Sequence, residues 1–181
     1  FLIKEQSKII IISHVGRPKG KITSDLSLKP ICENIEKKIN RKIRLVKEDI
    51  FKLKKEDLFK NSNDQIVFLE NIRFYKEEEK NDTKFAQHLA KLADLYVNDA
   101  FSCSHRAHAS VSKITEFLPS FAGLQLETEM QAAFSRNFGE LELPGKISNI
   151  TKPEDRRLGP EMADVSNLDK DNKPLGRDDR T

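Results

Sequence analysis

Short continuous runs of apolar residues are the clearest pattern along the chain. Residues 9–12 and 65–69 are apolar almost throughout, which is typical of strands that are buried on both faces. Shorter runs at 43–46 and 95–97 predict two further strands.

Between these runs, apolar residues recur at helical spacing. The spacing predicts a helix over residues 27–40 with Ser27 as its cap, and another over 82–92 capped by Asp82 or Asn81. Strands that alternate with helices indicate βαβ units, so the predicted class is α/β: a parallel sheet with helices on both faces. Further helices are predicted over 53–60, 109–117 and 124–134.

The C-terminal part of the chain differs in kind. Residues 135–181 hold four glycines and four prolines among nineteen charged side chains, and their apolar residues come singly. Such a segment cannot bury enough apolar surface to offset its ordering entropy. We therefore predict one folded domain over residues 1–134 and an irregular tail over 135–181.

Composition narrows the function. The 32 basic residues nearly balance the 29 acidic ones, for a formal charge of +3, which disfavours a nucleic-acid or membrane binder. No apolar stretch is long enough for a transmembrane helix, and the first residues do not resemble a signal peptide, so we expect neither. Two cysteines are too few for a disulfide framework. We expect a cytoplasmic monomer.

Three of the predicted strands are followed by a polar loop that carries arginine. His14 and Arg17 follow the first run, Arg73 follows the run that ends at Leu69, and Arg106 follows the last. Because parallel strands end at one edge of a sheet, where ligands of such folds bind, we expect these side chains to converge. Three arginines there predict an anion site, for phosphate together with carboxylate.

The sequence supports a metal site, a nucleotide-binding P-loop or a reactive cysteine only weakly. Cys103, His105 and His108 have a spacing that zinc could use, but no fourth ligand is evident, so we expect no metal site. The segment Gly16–Lys21 imitates a phosphate-binding P-loop but has three residues between its glycines rather than four, and we reject it. A packed thiol is the simpler interpretation of Cys103.

Two further features favour structural roles. Residues 77–79 are three consecutive glutamates, which are typical of a solvated helix start. His88 lies in the predicted 82–92 helix beside apolar residues, and we expect it to be structural or exposed.

Five motifs over residues 1–134 resemble those of phosphoglycerate kinase, in that family's order and at about its spacing. They are Ser13-His-Val-Gly-Arg-Pro-Lys-Gly20, Leu69-Glu-Asn-Ile-Arg-Phe74, Glu77-Glu-Glu-Lys-Asn81, Tyr96-Val-Asn-Asp-Ala-Phe101 and His105-Arg-Ala-His-Ala-Ser110. The resemblance implies a two-lobed Rossmann-like enzyme of glycolysis. One lobe binds 3-phosphoglycerate, the other binds Mg-ATP or Mg-ADP, and a phosphoryl group passes between ATP and the substrate carboxylate.

The resemblance also implies roles for individual residues. The substrate contacts would be His14, Arg17, Arg73 and Arg106. The residues that shape the site would be Gly16, where the backbone approaches the ligand, Asn98 and Asp99 in the third loop, and His108 as a support for that loop.

The chain also departs from the family pattern. We find neither the Arg-Val-Asp-x-Asn strand that opens the family's first lobe nor the Gly-Gly-Ala-Lys loop of its nucleotide lobe. We therefore expect an incomplete substrate lobe that binds anions weakly and does not turn over alone. The alternatives are a non-catalytic module that binds a phosphorylated acid, a non-functional product of a truncated or frame-shifted reading frame and, least favoured, a nucleic-acid binder.

Overall fold

The structure, a computed structural model, describes residues 1–60 and 65–138, with side chains described only as far as residue 135. The described chain divides into two compact units: residues 1–96 with 106–119, and residues 97–105 with the described residues from 120 onwards. Most of the predicted tail at 135–181 lies outside the described residues, and the tail and the predicted domain boundary stay predictions.

The first unit contains a three-stranded sheet. Its strands are β1 (Ile9–Ile11), β2 (Arg44–Val46) and β3 (Ile66–Leu69). The spatial order is β1-β3-β2, and both pairs are parallel. The predicted α/β class with a parallel sheet is therefore confirmed.

Helical segments lie between these strands and after β3. Two are regular helices of the lengths expected in such folds, and the others are single turns or 3-10 segments. The α-helices are α1 (Lys29–Ile39), α2 (Lys55–Leu58), α3 (Lys76–Glu79) and α4 (Thr83–Ala90), and the 3-10 segments are Ser24–Leu26, Ile50–Lys52, Ile72–Phe74 and Lys113–Glu116.

The alternation of side chains along β3 separates two apolar clusters. Ile66 and Phe68 join the cluster that contains Cys32 of α1, whereas Val67 and Leu69 join the cluster that contains residues of α4. All four residues of β3 are buried, as a central strand covered on both faces requires. Helices thus cover both faces of the sheet.

The helix caps match the predictions in part. Asp82 caps α4, because its carboxylate accepts a hydrogen bond from the amide of Phe85 at 2.8 Å. Leu28, not Ser27, occupies the N-cap position of α1 and donates its amide to Glu70 at 2.7 Å. The hydroxyl of Ser27 nevertheless accepts a hydrogen bond from the amide of Lys29, the first residue of the helix, at 3.2 Å, so the predicted residue lies one position early but still satisfies a donor at the helix start.

The helix predicted over 109–117 is reduced to the 3-10 segment Lys113–Glu116. Before it, the amides of Val111 and Ser112 both donate to the carbonyl of His108, and the amide of Ile114 donates to that of Ala109, five positions earlier. The regular ladder of an α-helix, in which each amide donates four positions back, is therefore not formed over this segment.

The second unit contains a two-stranded sheet formed by β4 (Tyr96–Asn98) and β5 (Ser120–Ala122). The first residue of β4, Tyr96, is the last residue of the 1–96 segment of the first unit. It also holds the short helix α5 (Phe101–Ser104) and the longer helix α6 (Leu124–Phe138). The hydrophobic pattern does not predict β5, which is only three residues long. None of the helices in the described ranges is both long and apolar enough to cross a bilayer.

Candidate anion-binding site

The loops that follow β1 and β3 are held together by hydrogen bonds. These strands are parallel neighbours, so both loops leave the same edge of the sheet. The amide of Ile72 donates to the carbonyl of Ser13 at 3.2 Å, and the amide of Gly20 donates to the carbonyl of Arg73, also at 3.2 Å. The first two arginine-bearing loops therefore form one connected structure, as the strand order predicts.

Asn71 is the central side chain of this connection, and none of it is exposed. Its amide nitrogen donates to the carbonyls of Val15 at 2.8 Å and Leu26 at 2.9 Å. Its amide oxygen accepts from the backbone N–H of Arg73 at 3.1 Å. One buried amide group thus fixes three chain segments against each other.

Glu70 fixes the start of α1 to the same loop. Its carboxylate accepts from the amides of Leu28 at 2.7 Å and Asn71 at 2.9 Å, and from the hydroxyl of Ser27 at 2.7 Å. Burial by itself would raise the pKa of Glu70, but these three hydrogen bonds outweigh it, and the pKa is lowered. The ionised carboxylate is therefore the form that holds the helix start in place.

Arg73 carries a buried guanidinium group whose donors are only partly used. The residue is 3% exposed, and its Nη1 donates to the carbonyl of Gly16 at 3.1 Å. The Nε atom lies 3.8 Å from a carboxylate oxygen of Glu79. Among the described residues, neither Nε nor Nη2 has a hydrogen-bond acceptor. Buried donors without acceptors are unfavourable, and an anion would supply the missing oxygens.

His14 lies within electrostatic range of several of the predicted residues. Burial is the main cause that lowers its pKa, and the charges of Arg73, Arg106 and His108 lower it further, while Glu79 opposes them. The imidazole is therefore neutral at pH 7 and has one N–H to donate.

The loop that carries Arg106 and His108 is attached to α3. The carboxylate of Glu78 accepts from Ser110 twice, from the amide at 2.9 Å and from the hydroxyl at 2.6 Å. Its carbonyl accepts from the amide of Ala109 at 3.0 Å, and Nδ1 of His108 lies 3.7 Å from its carboxylate. These contacts fix the backbone immediately after Arg106 and His108.

The expectation of a solvated glutamate run is wrong for Glu78, which is 2% exposed. Burial raises the pKa of its carboxyl group, and the hydrogen bonds from Ser110 and the charge of Arg73 oppose the shift. Glu79, by contrast, is exposed and faces the Nε atom of Arg73. Three identical neighbours in sequence thus have different environments because a helix turns each one in a different direction.

In the first unit, the predicted residues Arg73, Arg106 and His108 are within electrostatic range of His14. Gly16 contacts Arg73 through its carbonyl, and its φ of +66° together with the close side chain of Leu26 disfavours a larger residue there. Arg17 is exposed.

Asn98 and Asp99 belong to the second unit. Asn98 is buried and bonds within its own loop, donating to the hydroxyl of Ser104 at 3.1 Å and accepting from the amide of Ala100 at 3.0 Å. Asp99 accepts from the amides of Gln125 at 2.7 Å and Leu126 at 3.1 Å, in the first turn of α6. Their predicted role in shaping the substrate site stays a prediction.

The structure also bears on the metal site, the P-loop-like segment and His88, the alternatives considered from the sequence. Within residues 1–60 and 65–138, no three His, Cys, Asp or Glu side chains cluster so that they could hold a metal ion. In the P-loop-like segment, the amide of Lys21 donates to the carbonyl of Pro18, so it is not available to a phosphate. His88 packs against Phe51 and contacts the carbonyl of Leu53 at 3.2 Å, which is a structural environment.

Comparison with known proteins places these observations in a family. A family model described as "Phosphoglycerate kinase" matches residues 1–142, a few residues further than the resemblance predicted from the motifs. The phosphoglycerate kinase of Wolbachia pipientis wMel is 51% identical over 133 residues, which are 72% of this chain and 33% of that protein. That of Bartonella bacilliformis is 50% identical over 131 residues, with the same coverage.

Solved structures give the same result. Phosphoglycerate kinase from Coxiella burnetii superposes with a TM-score of 0.64 at 32% identity, covering 74% of this chain and 33% of that one. The enzyme from Pyrococcus horikoshii OT3 gives 0.66 at 25% identity, covering 77% and 36%. The chain thus spans about a third of the length of the curated relatives that it matches.

Proposed function

Because this chain belongs to the phosphoglycerate kinase family, we propose that its first unit is a site for 3-phosphoglycerate, bound through His14, Arg73 and Arg106. The observation that carries the proposal is the guanidinium of Arg73, buried in the loop after β3 with two nitrogen donors that find no acceptor among the described residues.

The chemistry of the ligand suits this set of donors. 3-Phosphoglycerate presents a phosphate and a carboxylate on a three-carbon frame, and a guanidinium can donate two parallel hydrogen bonds to either group. Neutral His14 adds one N–H without adding charge. The half-buried surroundings of His14 and Arg106 strengthen such contacts, since fewer water molecules compete for them.

Arg17 has a different part in the proposal. It is exposed, and it follows Gly16, whose carbonyl is held by Arg73. An exposed cation beside the pocket attracts an approaching anion and is sensitive to salt. We expect Arg17 to raise the rate at which the anion associates, and to contribute less to the affinity than Arg106, which is half-buried.

We also propose that this chain by itself does not catalyse phosphoryl transfer. The reaction needs a nucleotide and Mg²⁺ in line with the acceptor carboxylate. The candidate site supplies cationic and hydrogen-bonding groups for the acceptor, and the chain spans about a third of the length of the relatives named phosphoglycerate kinase. The part of the relatives to which this chain corresponds is therefore proposed to bind the acceptor alone.

Isothermal titration calorimetry with 3-phosphoglycerate tests the site. Arg106→Ala should weaken binding about tenfold or more, because a hydrogen bond to a charged group contributes about 1.5–3 kcal/mol. The matched control is Arg41→Ala, which removes the same charge from an exposed position after the far end of α1. Equal affinity of the Arg106→Ala variant and the wild type would remove Arg106 from the site.

Arg73 requires a gentler change, because its side chain also holds the loop after β1. Arg73→Lys keeps the charge and loses the planar fork, so we expect weaker binding with a fold that stays intact. Urea unfolding of the same variant separates the two effects, since a purely structural role would lower stability without weakening binding to the folded protein.

A coupled assay with ATP, Mg²⁺ and 3-phosphoglycerate tests the second proposal. We expect no rate above the background of a protein-free reaction. Turnover that scales with the concentration of the purified chain would contradict the proposed inactivity and would leave the binding site itself unaffected.

A further inference from the structure

Glu78 makes contacts that the function of the site does not by itself explain. It is an acidic residue, 2% exposed, within a group of cations that is proposed to bind an anion. Its side chain accepts two hydrogen bonds from Ser110, and its backbone carbonyl accepts a third from Ala109. All three bonds reach the segment that follows Arg106 and His108.

We propose that Glu78 is a positioning residue: it holds the segment from Arg106 to Ser110 so that Arg106 and His108 face His14 and Arg73. The inference rests on the proposed function, because it concerns how that same site is assembled. Glu78 itself does not touch the ligand in this proposal.

The geometry supports a fixed placement rather than a loose contact. Ser110 is joined through both its amide and its hydroxyl, at 2.9 and 2.6 Å, so the residue cannot rotate without breaking at least one bond. Ala109 is fully buried beside it. The amide of His108 donates to the carbonyl of Arg106 at 2.9 Å. This tight turn brings Arg106 closer to Ala109 and Ser110, the residues that Glu78 holds.

The neighbouring glutamates could not replace it. Glu79 is exposed and faces Arg73. Among the described residues, Glu77 accepts a hydrogen bond through its backbone carbonyl alone, from the amide of Asp82. On a helical segment, successive side chains point in directions about 100° apart, so only one of the three can face Ser110. Glu77 is therefore a suitable control position.

The titration of His14 reports on the position of Arg106. The charged groups that face His14 are Arg73 from the loop after β3, Arg106 and His108 from the segment before the last 3-10 turn, and Glu79 from α3. Release of the Arg106 segment would remove cations from His14 and uncover it. Both changes raise the pKa of His14 towards 6.5, its ordinary value.

The direct electrostatic effect of removing Glu78 has the opposite sign. A nearby carboxylate favours the protonated imidazole, so its loss alone would lower the pKa of His14 or leave it unchanged. The direction of the shift therefore distinguishes a positioning role from simple removal of a charge.

The experiment is an NMR titration of the imidazole signals in the full chain. Glu78→Ala should raise the pKa of His14 by roughly half a unit or more, and Glu77→Ala should leave it at the wild-type value. Glu78→Gln should shift it by less than half as much, because the amide can still accept from the Ser110 N–H and donate to its hydroxyl. An unchanged or lowered pKa in folded Glu78→Ala would overturn the proposal.

Ser110→Ala keeps the test decisive if Glu78→Ala does not fold. It removes the hydroxyl bond and retains the amide bond, so a smaller upward shift of the pKa of His14 is expected. No upward shift in this folded variant would then count against the proposal.

Calorimetry with 3-phosphoglycerate separates this inference from the proposed function. Weaker binding by Glu78→Ala than by Glu77→Ala supports the inference. If the wild type binds and Glu78→Ala binds equally well, positioning is refuted and the site stands. If the wild type does not bind, the proposed function fails, while the titration of His14 still decides whether Glu78 places Arg106.

Discussion

Replacing Asn71 by alanine should destabilise the fold by about 3–5 kcal/mol. The side chain is completely buried and makes three hydrogen bonds, at 2.8 Å to Val15, at 2.9 Å to Leu26 and at 3.1 Å from the amide of Arg73. Each buried group left without a partner costs about 1–3 kcal/mol. The total falls short of three full penalties, because the effects are not additive and water can enter the space.

Asn71→Asp sharpens this prediction. Aspartate has nearly the same shape and can still accept from the amide of Arg73, but at neutral pH it presents oxygen to the carbonyls of Val15 and Leu26. We expect it to be at least as destabilising as alanine at pH 7. Protonation restores one donor, so the folded-state pKa of the new carboxyl group is raised, and the variant should regain stability as the pH falls through that value.

Urea unfolding measures both variants. With a slope of about 2 kcal/mol per molar urea, a loss of about 4 kcal/mol moves the midpoint down by about 2 M. Asn34→Ala, at an exposed position on α1, is the matched control and should change stability by less than about 0.5 kcal/mol. An Asn71→Ala variant within about 1 kcal/mol of the wild type would refute the reasoning that this amide group joins the loops.

Three further predictions concern single contacts. Glu70→Gln should make the free energy of unfolding depend less on pH at the acid end. The pKa of Glu70 is lowered in the folded state, so its carboxylate stabilises the fold above the ordinary pKa of 4.5, and this stabilisation is lost as the pH falls below that value. Asp99→Ala should cost about 1 kcal/mol, the worth of a helix cap, with faster amide exchange at Gln125 and Leu126. Phe85→Ala should cost about 3–5 kcal/mol in urea unfolding, because the ring is fully buried and lies 5.2 Å from that of Tyr75.

Each of these has a control and an outcome against it. Glu33→Gln, at an exposed position on α1, should leave the loss of stability at acid pH unchanged. If Glu70→Gln lost stability at acid pH just as the wild type does, the carboxylate of Glu70 would not be what holds the start of α1. Asp25→Ala lies at an exposed position and should leave exchange in α6 as it is. For Phe85, a loss below about 1 kcal/mol would mean that the cluster is not packed as described.

The sequence predicts the first unit well because its signal is local. Continuous apolar runs identify β1 and β3, and the alternation along β3 follows from the period of a strand. The convergence of the loops after these strands follows from parallel order, which the motif spacing also indicates. Asp82 and Asn81 are both predicted as possible caps because they precede an apolar helical pattern, and Asp82 is the one that caps α4.

What the sequence could not predict depends on contacts between distant residues. The burial of Glu78 requires Ser110, 32 positions later, and nothing in a run of three glutamates marks which one turns inward. Glu70 lies 42 residues after Leu28 in the sequence, yet the hydrogen bond that its carboxylate accepts from the amide of Leu28 determines where α1 starts. Asn71 directly follows Glu70, yet its role appears only when Val15 and Leu26 are seen on either side of its amide group.

The most direct test of the central claim is an NMR titration of the His14 imidazole, with and without saturating 3-phosphoglycerate. A dianionic phosphate bound among Arg73, Arg106 and His14 would place negative charge beside the ring and should raise the pKa of His14 from its lowered value. A pKa that stays the same at saturation, or ligand-induced shifts confined to residues remote from these three, would contradict the site.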